Sequence, residues 1–145
     1  MVNLIAVALF LIQPTPIKVN VHNSTNIKKI ENRDVTFGVK ETVEELLSEK
    51  GYTPNDSLGM SVQVNIDSIY SPQQIVNIVG LQWLKKDYIV ETTICIGTGC
   101  IKSVGTRKTF IFAAFLNVEN NEVPLNRKAF SKALQESLTK TTKQL

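Results

Sequence analysis

The sequence predicts an α+β domain, an antiparallel sheet of about four to five strands with two helices packed on one face. Three observations carry this. Apolar and polar residues alternate in several stretches, above all 61–67 and 88–96, at the period of half-buried strands. Two segments, 35–47 and 129–141, repeat apolar residues at helical spacing. The order strand, helix, strands, helix suits a sheet covered on one side.

Each element has its own warrant. Pro14 and Pro16 punctuate the chain, and Ile17-Lys18-Val19-Asn20-Val21 then alternates as a first strand. The stretch from Asn23 to Arg33 is polar and reads as a loop. Asp34 or Thr36 caps the first helix, whose buried stripe is Val35, Val39, Val43, Leu46 and Leu47, with Glu41, Glu44 and Glu45 opposite. Lys50 in the last turn and Gly51 beyond it end that helix. Ser61 to Asp67 alternates strictly, and Ser71-Pro72 breaks the strand. Ile75 to Leu84 is rich in β-branched residues and is expected to form one strand pairing back on 61–67, the alternative being a helix started by Ser71-Pro72-Gln73-Gln74.

Tyr88, Val90, Thr92, Ile94 and Ile96 share one side of the next strand, and Cys95 shares the more polar side with Glu91 and Thr93. Gly97-Thr98 is the tip of a hairpin, so Cys95 opposes Cys100 across a non-hydrogen-bonded pair. Cα atoms there approach to about 4.5 Å, within disulfide range, so a Cys95–Cys100 bridge is expected in an oxidising compartment. Thr106 to Val118 follows as a strand, and its Phe110–Leu116 section is apolar on both faces. Such a strand belongs at a sheet centre, or under a helix on one side and a partner on the other. Asn120-Asn121 turns the chain. Asn126 starts the last helix, striped by Ala129, Phe130, Ala133, Leu134, Leu138 and Thr141.

The chain divides into an apolar N-terminal segment, 1–16, and a single α+β domain, 17–145. The run Leu4 to Ile12 fits the apolar region of an export signal, but no Lys or Arg precedes Lys18 and no small-residue cleavage site follows the run. It is too short for a membrane span, which needs roughly 20 apolar residues. The segment is an atypical export signal, a retained docking arm, or a buried element of the domain. Leu4, Ile5, Leu9, Phe10, Leu11 and Ile12 are its candidate contact residues.

Composition excludes several classes of function. At 145 residues with 43% hydrophobic and 20% charged residues, the chain supports one ordinary core. The net charge of +3 is dispersed as Lys28-Lys29, Lys85-Lys86, Arg107-Lys108 and Lys140/Lys143, without the clustered basic face of a nucleic-acid binder. His22 is the sole histidine and sits at a strand end, so it reads as a surface residue rather than a catalytic base. Glu44/Glu45 and Glu119/Glu122 fall on a solvent face and a turn. Two cysteines without further His or Cys supply half of a tetrahedral site, so no metal is expected. Gly97-Thr98-Gly99 and Gly105-Thr106-Arg107-Lys108 lack phosphate-loop spacing. Asn23-Ser24-Thr25 and Asn55-Asp56-Ser57 match the glycosylation sequon, which has meaning only in a eukaryotic secretory protein. No cofactor is expected and no enzyme activity.

One stretch points to contact. Trp83-Leu84-Lys85-Lys86 closes an apolar run, and Trp beside lysines suits a membrane boundary or an interface anchor. Trp83, Leu84, Lys85 and Lys86 are therefore candidate partner or membrane contacts. The competing account is a core strand whose Trp plugs one end of the sheet.

The helix ending Leu46-Leu47-Ser48-Glu49-Lys50-Gly51-Tyr52, the alternating strand Val62–Ile69, the long hairpin and the closing helix Phe130–Leu138 give a pattern with a precedent. Over about residues 17–143 it resembles the small bacterial envelope lipoproteins of the YajG type and auxiliary components of lipid-transport systems. The resemblance implies a non-enzymatic α/β module of the periplasm that assembles with envelope machinery. Those proteins carry a lipid-modified Cys after the signal, and no Cys follows the apolar run here. The expectation is thus an exported envelope accessory protein that binds a protein or lipid partner, or a further copy of itself, through its sheet face, with no specific nucleic acid. The alternative is a virion subunit, in a phage tail, neck or baseplate, that keeps the apolar arm for subunit contacts.

Overall fold

In the computed structural model the described residues are 14–112 and 125–145. Strand β1 spans Thr15–Asn23, and a two-stranded ribbon follows, β2 (Lys29–Ile30) with β3 (Arg33–Asp34). This ribbon lies where the sequence reads as plain loop; Glu31 and Asn32, both at positive φ, make its turn. Helix α1 (Val35–Ser48) buries Val35, Val39, Val43 and Leu47, and the Asp34 carboxylate caps it by accepting from the Thr36 and Phe37 amides.

Next come β4 (Tyr52–Pro54), β5 (Met60–Tyr70), β6 (Gln73–Ile78), β7 (Leu81–Ile96), β8 (Gly99–Phe112) and α2 (Arg127–Gln144). The main sheet has six strands, ordered β4-β1-β5-β7-β6 with β8 also on β7. It is mixed, which corrects the antiparallel expectation. β1 runs parallel to both β4 and β5, with Val19 level with Val62 and Val21 with Val64. The reason is connectivity: one helix between two strands returns the chain to its starting end, so the next strand runs the same way. Alternation alone carries no such direction.

Ile75 to Leu84 is not one strand. Val79 and Gly80 take positive φ and fold it into a tight hairpin, so β6 pairs with β7 and not with β5. β8 occupies one edge of β7 from Trp83 to Ile96. β5 and β6 therefore lie end to end along the other edge, β5 against Ile89–Ile96 and β6 against Leu81–Lys86. A register shift between Ile66 and Ser68 marks the bend. Beyond that bend the sheet narrows to a three-stranded extension of β6, β7 and β8.

One face of the sheet meets both helices. Val62, Val64, Ile66, Tyr88, Val90 and Ile94 form a single cluster with the α1 stripe and with Ala129, Phe130, Ala133, Leu134 and Leu138 of α2. At Gly105 the α2 backbone lies directly on β8, where an added Cβ would stand 1.8 Å from the Ala133 carbonyl oxygen. Beside it runs a buried hydroxyl chain. Ser137 Oγ lies 2.7 Å from Thr92 Oγ1, and Ser103 Oγ donates to the Ser137 carbonyl at 2.6 Å and also meets Thr141. α2 itself starts on the Asn126 cap, and the Asn126 amide donates to the Tyr88 hydroxyl at 3.0 Å.

Among the described residues β8 pairs with β7 alone, so it is an outer strand and not the sheet centre. α2 reaches over its outer edge. The Thr106 amide donates to Glu136 Oε2 at 3.3 Å and Lys140 Nζ donates to the Val104 carbonyl at 3.1 Å, while the two side chains form an ion pair at 2.6 Å. Ala113–Leu116, Glu119, Glu122 and the Asn120-Asn121 turn lie outside the described residues.

Candidate functional site

Strand alternation sorts the residues singled out from sequence onto two faces. Leu84 and Lys86 point to the helix side and are 1% and 4% exposed. Trp83 and Lys85 point outward. The four therefore do not form one contact group, and Leu84 and Lys86 drop out of any exposed surface. A run of neighbours is split because successive strand side chains face opposite ways. Leu4, Ile5, Leu9, Phe10, Leu11 and Ile12 lie outside the described residues.

What gathers around Trp83 comes from three strands. Val76 of β6 and Phe112 of β8 flank it in register, and Ile78 stands opposite Leu81 one step nearer the turn. The Trp83 and Phe112 rings meet with centroids 5.2 Å apart and planes tilted by 54°, the tilted contact that aromatic pairs favour. Phe110, 50% exposed, extends the patch beside Lys85. Val79 caps the hairpin at 96% exposure. Gly80 was the local sign of this turn, but Val79 before it is not a residue that two-residue hairpin turns favour, so Val76 and Ile78 stayed outside the predicted contact group.

The patch has a polar border. Lys85 Nζ pairs with Asp87 Oδ2 at 3.2 Å, and Lys108 stands across from Asp87. Asp87 Oδ1 is buried and has no hydrogen-bond partner. Further along the same face, Lys102 pairs with Glu91 at 3.0 Å. The hydrogen bond from Lys102 holds the Glu91 carboxyl below its ordinary value, and the Lys102 ammonium is raised in turn. Thr93 donates to Asp67 at 2.6 Å. The far half of the face, from Lys18, Asn20 and His22 to Gln63 and Asn65, is polar.

The Cys95–Cys100 disulfide closes the β7–β8 hairpin on this outer face, with Cα atoms 4.1 Å apart. His22 is exposed at the end of β1, level with Asn65. Among the described residues no group of three His, Cys, Asp or Glu side chains is placed to hold a metal ion.

A cavity of about 560 Å³ lies elsewhere, between the N-terminal halves of the two helices and the β2–β3 ribbon. Phe37, Phe130 and Leu134 line it with Arg33, Glu41 and Arg127. Glu31 ties the ribbon to α2, accepting from the Arg127 amide at 3.2 Å with the guanidinium 3.9 Å away. His22 is not part of this cavity. No described helix is long and apolar enough to cross a membrane.

No protein-family model matches the sequence, and no curated protein matches it. Among solved structures the chain is similar to a minor lipoprotein from Acinetobacter baumannii, at 12% identity and a TM-score of 0.44, over 90% of this chain and 86% of that one. It is similar to the hypothetical protein CT253 from Chlamydia trachomatis, at 9% identity and 0.39, over 90% and 92%. It is also similar to the rare lipoprotein B from Shewanella oneidensis, at 12% identity and 0.38, over 88% and 89%.

Proposed function

We propose that this chain is a non-enzymatic accessory protein of the bacterial envelope that binds a protein or lipid partner through the outer face of its sheet. The observation that carries the reading is the patch around Trp83. Apolar residues from three strands converge there on the face opposite the two described helices, and contiguous exposed apolar surface of this kind is characteristic of interaction sites. The Cys95–Cys100 bridge and the apolar leader support an oxidising, exported setting. Catalysis would need a nucleophile and a base in reach of each other, and among the described residues His22 is an exposed strand-end side chain level with Asn65 on a polar surface.

Two measurements test the two parts. Intact mass of native protein under non-reducing conditions reads the compartment: loss of the leader and a closed disulfide are expected, and a retained leader with two free thiols refutes export. A diazirine photo-crosslinker placed at Phe110, and separately at Ser61 on the polar half of the same face, reads the surface in cells. Adducts to protein or lipid are expected at Phe110 and not at Ser61. Equal yields at the two positions refute the assignment.

A further inference from the structure

We propose that the β6–β7 hairpin is a membrane-docking tip that seats on a bilayer bearing anionic headgroups. This rests on the reading that the outer sheet face binds a partner, and it names the partner as lipid. Val79 occupies the first central position of a two-residue turn, at φ 52°, with Gly80 at φ 74°. Turns with positive φ at both positions favour Asn-Gly or Asp-Gly, and a β-branched residue there is conformationally disfavoured. Val79 is also the most exposed of the described large apolar residues. Backbone preference and hydration both oppose a valine at this apex, and no described neighbour offsets either cost. An apolar medium outside the molecule offsets the second.

Moving back from the apex, the chemistry changes in a fixed order. Val79, Ile78 and Leu81 come first, the Trp83–Phe112 pair next, and Lys85 with Lys108 behind them. At about 3.3 Å per residue, Trp83 lies about 7 Å and Lys85 about 13 Å behind Leu81. Peripheral segments bury their apolar face roughly 5–10 Å into the headgroup boundary. At that depth Leu81 enters the acyl layer and the rings sit at the interface. Lysine stems then lie along the surface with their ammonium groups among the headgroups. Charge agrees in sign on this face: Lys85 stands at this level, and Asp87, about 7 Å further back, is flanked by Lys85 and Lys108. Apolar apex, aromatic belt and cationic collar follow the depth profile of a bilayer surface, an order that a protein pocket does not impose.

The test uses the full chain with vesicles of phosphatidylcholine alone, or mixed with phosphatidylglycerol. Trp83 is the only tryptophan, so its quenching by brominated acyl chains reports the tip and not the N-terminal segment. Quenching in the anionic vesicles, weakened by salt, is expected. Val79→Asn suits the turn and keeps the same leader; roughly tenfold weaker Trp83 quenching and a melting temperature no lower than the parent's are expected. Absence of Trp83 quenching in anionic vesicles overturns the proposal, as does equal quenching by the Val79→Asn protein. Either failure leaves the envelope reading standing, because that reading is decided by processing, thiol state and crosslinking.

Discussion

Replacing Gly105 with alanine tests whether α2 truly lies on bare backbone. The added methyl carbon would stand 1.8 Å from the Ala133 oxygen, 2.6 Å from the Ser137 nitrogen and 2.9 Å from the Ala133 carbonyl carbon. Ordinary contacts of this kind begin at 3.4 Å, so α2 has to lift by about 1.5 Å. All three atoms are backbone and none can rotate away. Overpacking of a tight site costs about 1–3 kcal/mol, and lifting α2 also loosens the buried hydroxyl chain of Thr92, Ser103 and Ser137. We take about 3 kcal/mol for the sum. Unfolding entropy of about 2.1 cal/mol/K per residue gives about 0.3 kcal/mol/K for this chain, so the melting temperature falls by roughly 10 °C. Differential scanning calorimetry reads it. Gly38, inside α1 with nothing within 4 Å of an added Cβ, is the control. Gly38→Ala gains up to about 1 kcal/mol of helix propensity and raises the midpoint by a few degrees. If the Gly105→Ala protein melts within about 2 °C of the parent, the helix does not rest on β8 as described.

Three further outcomes are expected. The double change Cys95→Ser, Cys100→Ser removes a short covalent loop, worth about 2 kcal/mol by loop-closure entropy, and lowers the urea midpoint; in the parent neither thiol alkylates before reduction. Asn126→Ala removes the acceptor for the Ala129 amide and costs about 1 kcal/mol, measured by the same denaturation. The Glu136 carboxyl is held below its ordinary value of 4.5, chiefly by the hydrogen bond from Lys140. A carboxyl depressed in the folded state stabilises above its unfolded pKa, and that contribution fades as pH falls through the lowered value. Glu136→Gln should therefore flatten the loss of stability on acidification from about pH 6 to about pH 3, and an unchanged acid limb would count against the pair.

Much of the scaffold could be read from residue spacing. The stripe Val35, Val39, Val43 names the buried face of α1, and Ala129, Ala133 and Leu138 name that of α2, because helical period and burial coincide there. The Cys95–Cys100 pairing follows from a two-residue turn between alternating strands. Parallel pairing of β1 with β5 was hidden, since alternation says which side a residue faces and nothing about strand direction. The β6–β7 hairpin was hidden because its turn carries Val where Asn is usual. That same substitution marks the candidate surface, so the position that misleads a reading by period is the one that carries the functional argument. Gly105 gave no local sign; its role is set by a helix backbone far along the chain.

The Glu136–Lys140 cover on β8 has a consequence for assembly. Open-ended stacking of subunits needs two free, complementary sheet borders on each molecule. Here one flank is occupied mid-length by side chains from the molecule's own terminal helix, and at the opposite flank β4 is three residues long and ends in Pro54. Along those two stretches a neighbouring strand cannot add, which leaves β6 as the described outer strand with an open border.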